Sequence, residues 1–256
     1  MSANVIVETR SRIKRIEIDR TDKKNALTLD MYAAMADALV AADADGEVRV
    51  ILIHGKPDCF TAGNDLKDFL ARPPHSDSEG EAFRFIRTIS TTKKPIVAAV
   101  GGAAVGIGTT MLLHCELVFA APDARFQLPF VSLGLVPEAA SSFLLPAIAG
   151  YQRAAEMLLL AQPFGVDKAL AAGFVTEVIP EDELLEHARE AAAGLAALPP
   201  ASVQLTKRLM KRSREALVAE AMAEEGKLFR ERLAGPEAKE AMTAFFEKRK
   251  PDFSKF

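Results

Sequence analysis

The chain has 256 residues, of which 49% are hydrophobic and 26% charged, so it can bury a sizeable core in one or two domains. Its formal net charge of −3 gives no general attraction to nucleic acid or to an anionic membrane, and no uninterrupted apolar run reaches the ~18 residues of a membrane span. Two cysteines are too few for a disulfide scaffold, and the chain does not start with a cationic segment followed by an apolar one, so we expect a cytoplasmic protein.

The first half of the chain alternates strand and helix patterns. Residues 4–9 and 13–19 alternate apolar and polar side chains, which predicts a β-hairpin. Apolar residues at helical spacing follow from Met31 to Ala42, and residues 48–53 form the continuous β-branched run of a strand buried on both faces. Strand, helix and strand in this order favour a parallel α/β sheet.

Two glycine-bearing turns each follow a strand pattern and lead into a helix pattern. Residues 60–66 read Phe-Thr-Ala-Gly-Asn-Asp-Leu, and residues 101–108 read Gly-Gly-Ala-Ala-Val-Gly-Ile-Gly. Such turns present backbone N–H groups at a helix start, where they can hold a negative charge. One turn alone is better explained by close packing of a helix on a strand. The two turns together suggest an oxyanion hole.

The remaining segments extend the alternation and then become helical. Residues 72–80 carry Pro, Ser, Asp and Gly without an apolar side chain, so we predict a loop, with a lid over a ligand as one use. Pro199-Pro200 predicts a hinge between a core at 1–198 and a helical segment at 199–256. The predicted helices are 81–90, 108–114, 138–147, 151–160, 167–172, 182–196, 201–233 and 237–249, and the predicted strands are 96–100, 116–120, 125–128 and 175–179.

The two turns resemble the signatures of the crotonase, or enoyl-CoA hydratase/isomerase, superfamily. Residues 60–66 resemble its Phe-x-Ala-Gly-x-Asp-Leu motif, and residues 94–102 resemble its Lys-Pro-x-Ile-Ala-Ala-Val-x-Gly strand. The resemblance extends from Arg20 to Pro251. It implies an α/β crotonase-like fold of repeated ββα units with a C-terminal helical oligomerisation segment. It also implies a homotrimer or hexamer that acts on an acyl-CoA thioester, with no metal and with coenzyme A as part of the substrate rather than a cofactor.

The resemblance further implies roles for individual residues. The backbone N–H groups of Ala62 and Ile107 are expected to hold the thioester carbonyl, and each such donor can contribute about 3 kcal/mol to lowering the barrier. Asp65 has the alternative role of a helix cap, and Lys24 that of a solvated surface lysine. The expected substrate-binding residues are Lys24, Ala26, Ala62, Gly63, Asn64, Asp65, Leu66 and Gly106.

The acid and base residues separate the reactions of this superfamily. Thr110 and Phe130 occupy the positions where hydratases carry two glutamates, and neither side chain can serve as the base and acid that addition of water requires. Glu138 lies in a run that resembles the peroxisomal type of Δ3,Δ2-enoyl-CoA isomerase, in which a lone glutamate is the base. The alternative is that Glu138 only complements a helix dipole in a first turn. Such a dipole would lower its pKa, whereas burial by apolar neighbours would raise it.

We therefore predict a Δ3,Δ2-enoyl-CoA isomerase that works without a metal or redox cofactor. An enoyl-CoA hydratase or another crotonase-type enzyme is the alternative within the superfamily, and a non-catalytic acyl-CoA-binding protein is the alternative of another class. Phe245, Phe246 and Phe253 supply apolar anchors for the oligomer, unless they fold back onto their own subunit. No nucleic acid or membrane partner is expected.

Overall fold

The computed structural model describes residues 2–71 and 80–256. Its strands are β1 (Val5–Arg10), β2 (Ile13–Ile18), β3 (Val50–His54), β4 (Cys59–Thr61), β5 (Ile96–Val100), β6 (Ala103–Val105), β7 (Leu117–Ala120), β8 (Arg125–Gln127), β9 (Phe164–Gly165) and β10 (Glu177–Val178). Its helices are α1 (Leu29–Ala44), α2 (Leu66–Ala71), α3 (Glu81–Thr91), α4 (Ile107–Thr110), α5 (Ser141–Ala149), α6 (Tyr151–Leu160), α7 (Val166–Ala172), α8 (Glu181–Ala197), α9 (Pro200–Lys211), α10 (Glu215–Leu233) and α11 (Pro236–Phe246), with short 3-10 turns at Thr21–Lys23, Met111–His114 and Val131–Leu133.

Successive strands step from one sheet to a second sheet. The larger sheet has the order β1-β2-β3-β5-β7-β10, and the smaller has the order β4-β6-β8-β9. The pairs β3–β4, β5–β6 and β7–β8 each contribute one strand to each sheet, and their counterparts pair in parallel within each sheet. β1 and β2 form the predicted antiparallel hairpin. The α/β class and the repeated ββα units are confirmed.

The central strands are buried on both faces, as their apolar runs predict. Every residue of β3 and β5 is buried. Alternate side chains of β5 enter different clusters: Val97 packs in a cluster with Ala188 of α8, while Ala98 joins the main core with Leu39 of α1. Helices therefore cover both faces of the larger sheet.

Several predicted helices differ from those observed. The helix predicted for 108–114 is α4 followed by a 3-10 turn at Met111–His114, and the helix predicted for 237–249 ends at Phe246. The helix predicted to begin at residue 138 begins at Ser141, because Ala139 and Ala140 take left-handed conformations with φ of 60° and 56°, which a right-handed helix cannot include. The single helix predicted for 201–233 is divided into α9 and α10 by a turn after Lys211.

Other predictions about the organisation of the chain stay predictions. The loop with its lid role falls on residues 72–79, which lie outside the described residues. α8 ends at Ala197 and α9 begins at Pro200, so the predicted boundary at 198 falls in a connection, although the division into two domains is not thereby established. None of the helices in 2–71 and 80–256 combines the length and the apolar character that crossing a bilayer needs.

The C-terminal phenylalanines stand out from the surface of the single chain. Phe245 is 60% exposed, Phe246 43% and Phe253 38%. Their own subunit covers each ring only in part, and their role as anchors of an oligomer stays a prediction.

Candidate active site

The two glycine-bearing turns lie side by side because the strands that precede them are paired. β4 and β6 run in parallel, with Thr61 opposite Ala104, so the segments after them leave the same edge of the smaller sheet. Gly63 has a φ of +86°, and a Cβ atom at this position would lie 2.8 Å from the carbonyl oxygen of Val105. Only glycine fits such a close approach in this conformation. The sequence prediction that both turns contribute to one site is consistent with this arrangement.

The backbone N–H groups of the first turn differ in whether they are free. The N–H of Ala62 donates to the carbonyl oxygen of Lys24 at 3.0 Å, so it is already used inside the protein. The N–H of Gly63 donates to the Thr61 hydroxyl at 3.0 Å. Within the described residues, the N–H of Asn64 has no acceptor. The prediction that Ala62 is an oxyanion donor is therefore contradicted, and Asn64 is the residue of this turn that can donate to a ligand.

The N–H of Asn64 is left free by a short parallel bridge between this turn and the segment before α1. Leu27 donates its N–H to the carbonyl oxygen of Gly63 at 2.8 Å and accepts from the N–H of Asp65 at 2.8 Å. The residue between Gly63 and Asp65 then points its N–H away from this ladder. In the second turn, the N–H of Ile107 likewise has no acceptor in the described part of the chain, because Ile107 is the first residue of α4.

Arg20 holds several of the predicted substrate-binding residues together. Its guanidinium donates to the Asp65 carboxylate at 2.7 Å and to the carbonyl oxygen of Ala26 at 2.8 Å. Burial opposes ionisation of Asp65, but hydrogen bonds from Arg20 and from the N–H of Asp68 lower its pKa. The Asp65 carboxylate accepts from the N–H groups of Lys67 and Asp68 at 3.1 and 3.2 Å, so the helix-cap reading of this residue is confirmed.

The other three predicted substrate-binding residues lie outside the Arg20 hydrogen-bond network described above. The side chain of Lys24 is exposed, and its residue adopts a left-handed conformation at the end of a 3-10 turn. Leu66 is the first residue of α2, and Gly106 precedes α4 with a φ of +57°. Their roles in substrate binding stay predictions.

Glu138 reaches the space beside the first turn from the other half of the chain. Its residue is only 7% exposed and precedes α5 in the segment 134–140, which we call the Glu138 turn. The hydroxyl of Thr110 donates to Glu138 Oε1 at 2.5 Å. A small cavity of about 10 Å³ is lined by Glu138, Asn64 and Phe83, among others. Thr110, at a hydratase glutamate position, therefore holds the carboxylate that lines this cavity together with Asn64.

Tyr32 is a member of the site that the sequence did not reveal. Its hydroxyl donates to the side-chain carbonyl of Asn64, and its ring lines the same small cavity. Burial, and secondarily the charge of Glu138, raises the pKa of Tyr32 well above its usual value, so it stays a neutral donor. A tyrosine on the apolar face of a helix is indistinguishable in sequence from a core residue.

Glu225 of α10 is a second residue that sequence reasoning missed. Its carboxylate accepts from the N–H of Ala140 at 2.6 Å and from the N–H of Ser142 at 2.9 Å. Burial raises its pKa, although the hydrogen bonds from Ser142 and Ala140 oppose the shift. Glu225 thus fixes the left-handed end of the Glu138 turn, and no sequence pattern links residues so far apart.

His114 forms a hydrogen bond with the Glu138 turn. One ring nitrogen lies 2.8 Å from the carbonyl oxygen of Ala139. Burial, and then the nearby charge of Lys211, lowers the pKa of His114 to about 3, so the ring is neutral at physiological pH and donates to that carbonyl.

The pKa of Glu138 follows from its surroundings. Burial raises it to about 8, the hydrogen bond from Thr110 opposes the rise, and the charge of Glu225 adds to it. Burial therefore exceeds the effect of any helix dipole. The alternative in which Glu138 occupies a first helical turn is wrong, because α5 begins three residues later.

Comparison with known proteins then identifies the family. The model of the enoyl-CoA hydratase/isomerase family matches residues 8–255. The chain belongs to this family. It is an enzyme of the acyl-CoA hydratase/isomerase type, and the crotonase superfamily recognised from the two turns is confirmed.

Relatives of this hydratase/isomerase family member carry both kinds of name. This chain is 30% identical to the 2,3-dehydroadipyl-CoA hydratase of Escherichia coli over 98% of each chain. It is 34% identical to enoyl-CoA delta isomerase 2 of Rattus norvegicus, over 95% of this chain and 63% of that protein. A solved enoyl-CoA hydratase/isomerase from Pseudoalteromonas atlantica is 42% identical, with a TM-score of 0.94 over 98% of this chain and 100% of that chain. Hydratase names are the more frequent, so family membership leaves the reaction open.

The raised pKa of Glu138 predicts how the stability of this family member depends on pH. Its folded pKa, about 8, lies above the ordinary pKa of a glutamate, 4.5, so between these values the folded protein keeps a proton that the unfolded chain releases. The contribution of Glu138 to stability is therefore lost progressively as the pH rises through this window and is constant above it. Glu138→Gln should accordingly be the more stable protein at pH 8, by about 2–4 kcal/mol, with a much smaller difference at pH 5.

Denaturant unfolding of both proteins at one protein concentration measures this difference. An advantage of the variant that is equal at pH 5 and pH 8 would show that Glu138 titrates normally in the folded protein.

Proposed function

We propose that this chain is a Δ3,Δ2-enoyl-CoA isomerase in which Glu138 is the single base. The observation that carries the proposal is the small cavity beside Asn64. Among the described residues, Glu138 is the one carboxylate that lines it. A double-bond shift needs one group that removes a proton and returns it, whereas hydration needs a base for water and an acid for the α-carbon.

The proposed reaction uses the groups of the site in turn. The thioester carbonyl accepts hydrogen bonds from the N–H groups of Asn64 and Ile107, which stabilise the enolate oxygen. The Glu138 carboxylate takes a proton from C2, the electron pair of that C–H bond moves into the enolate, and the double bond between C3 and C4 becomes conjugated. The Glu138 carboxyl then returns its proton to C4, and the double bond is left between C2 and C3.

The neighbours of Glu138 support this role. The Thr110 hydroxyl fixes one oxygen of the carboxylate, and a dry, buried setting makes its anion a stronger base than an exposed carboxylate. The Tyr32 hydroxyl binds the Asn64 side chain and so stabilises the turn that carries the free backbone N–H of Asn64. A protein that only binds acyl-CoA has no need of a buried carboxylate at this place.

The two hydratase positions argue against water addition. Thr110 is engaged as the donor to Glu138, and Phe130 is buried. The other nearby carboxylate, Glu225, accepts from two backbone N–H groups of the α5 start and is absent from the lining of the small cavity. No second acid faces that cavity within the described residues.

Purified protein is expected to convert a 3-enoyl-CoA into the trans-2-enoyl-CoA much faster than it hydrates the trans-2 isomer. Absorbance of the conjugated thioester follows both reactions, since it rises on isomerisation and falls on hydration. The alternative reading, an enoyl-CoA hydratase, requires hydration to be the faster of the two.

We also propose that the protein is a homotrimer or a hexamer, which rests on the exposed rings of the C-terminal segment. Light scattering should report three or six subunits for the intact chain, and joint replacement of Phe245 and Phe246 by serine should lower that number. A monomeric intact chain would remove this proposal and leave the isomerase proposal standing.

A further inference from the structure

A second, much larger cavity adjoins the site on the far side of Glu138. It has a volume of about 1210 Å³ and lies between α3 and the helices α9 and α10. Glu138, Phe83 and Ile86 line both this cavity and the small one beside Asn64. A substrate whose C2 and C4 lie at Glu138 can therefore extend the rest of its acyl chain into the large cavity.

The walls of the large cavity change in character along α3. Near Glu138 they are apolar, with Phe83, Ile86 and Leu144. Towards the C-terminal end of α3 they become polar, where Ser90 and Thr91 face the basic helix α9. From Phe83 to Thr91 the helix extends about 12 Å, so the polar end lies roughly one medium-length acyl chain away from the base.

The lining of the large cavity as a whole carries an excess of positive charge. Among the described lining residues, seven are Lys or Arg and three are Glu, and one of the three is Glu138 itself. Lys207 is neutralised, because its ammonium group lies 2.9 Å from the Glu116 carboxylate. Glu225 is engaged with the backbone at the start of α5. With these pairings, and with Glu215 as the one other carboxylate of the lining, the cations of the α9 end remain in excess.

Lys211 is the cation placed to meet a ligand. Its ammonium group donates to the carbonyl oxygen of Ser90 at 3.1 Å and forms no ion pair with a described carboxylate. Burial, and then the charge of Lys207, lowers its pKa to about 8. Arg214, at the turn between α9 and α10, also lines the cavity without an ion pair in the described part of the chain. Two cations without a counter-ion at the end of an apolar channel favour an anion there.

We propose that the preferred substrates are enoyl-CoA thioesters whose acyl chain ends in a carboxylate, and that Lys211 and Arg214 bind this carboxylate. This inference rests on the proposed function, since it assigns the large cavity to the distal end of the same substrate. A chain that ends in a methyl group leaves the cations unpaired, whereas a terminal carboxylate pairs with them and its desolvation is compensated.

The test compares two 3-enoyl-CoA substrates of equal chain length, one ending in a methyl group and one in a carboxylate. The quantity measured is the ratio of kcat/KM for the carboxylate-ended substrate to that for the methyl-ended substrate. In the wild-type protein the ratio should exceed one. Lys211→Met should lower it by about ten- to a hundredfold, the value of a hydrogen bond to a charged group. Arg214→Met is a second, independent variant with the same expected direction.

Lys227→Met is the matched control, because Lys227 is an exposed lysine of α10 outside the cavity lining. It should leave the ratio unchanged. A wild-type ratio below one, or a ratio that neither Lys211→Met nor Arg214→Met lowers, overturns the inference while turnover of the methyl-ended substrate upholds the proposed function. Failure of both substrates to isomerise overturns both. A phosphate-dependent acceleration of the methyl-ended substrate that Lys211→Met abolishes would identify a site for free anions instead.

Discussion

Glu138→Gln should lower isomerase turnover by about 10²–10⁴-fold while the protein still folds and still binds acyl-CoA. The amide has nearly the same shape as the carboxylate, but it cannot take a proton from C2. The loss should appear in kcat rather than in substrate affinity, because in our proposal the backbone N–H groups of Asn64 and Ile107 bind the thioester. Turnover and acyl-CoA titration on the same preparation measure the two halves of this prediction.

Glu224→Gln is a suitable control, since Glu224 is exposed on α10 and the substitution makes the same chemical change outside the site. It should retain full turnover. Activity near that of the wild-type protein in Glu138→Gln would assign the base to another group.

Ile107→Pro should lower kcat by about 10²–10³-fold, because it removes one of the two N–H groups that we propose stabilise the enolate. Proline is tolerated at the first position of a helix, and Ile107 is the first residue of α4. Circular dichroism and binding of the trans-2-enoyl-CoA product establish that the variant is folded.

Ile107→Ala is the matched control, since it shortens the same buried side chain but keeps the N–H group. Its kcat should stay close to that of the wild-type protein. Equal losses in the proline and alanine variants would show that packing at Ile107, rather than its N–H, determines the rate.

The parts of the fold that the sequence predicted correctly are those determined by local patterns. The hairpin follows from the alternation of apolar and polar residues, and β5 follows from a short apolar run. The two turns follow from glycines at places where the backbone passes too close to another segment for a side chain to fit. The start of α5 was missed, because alanine gives no signal for a left-handed conformation and here Glu225 holds the turn in place.

The errors in the site have a common physical cause, which is distance along the chain. The N–H of Ala62 is occupied by the carbonyl oxygen of Lys24, while the bridge through Leu27 engages the Gly63 carbonyl and the Asp65 N–H and leaves the N–H of Asn64 free. Tyr32 reaches the site from a helix that precedes both turns. Sequence reasoning identified the kind of chemistry from single segments, and it could not show which atoms the packing of segments leaves free.

The hydrogen bonds between Glu225 and the end of the Glu138 turn join residues that are synthesised far apart in time. The ribosome synthesises the two glycine-bearing turns and Glu138 well before α10, so the nascent chain at first carries the proposed base in a turn that lacks the Glu225 contact. Activity should therefore appear only when α10 has left the exit tunnel and docked on α5. A chain stalled before Glu225 should hold every reacting group and still be inactive.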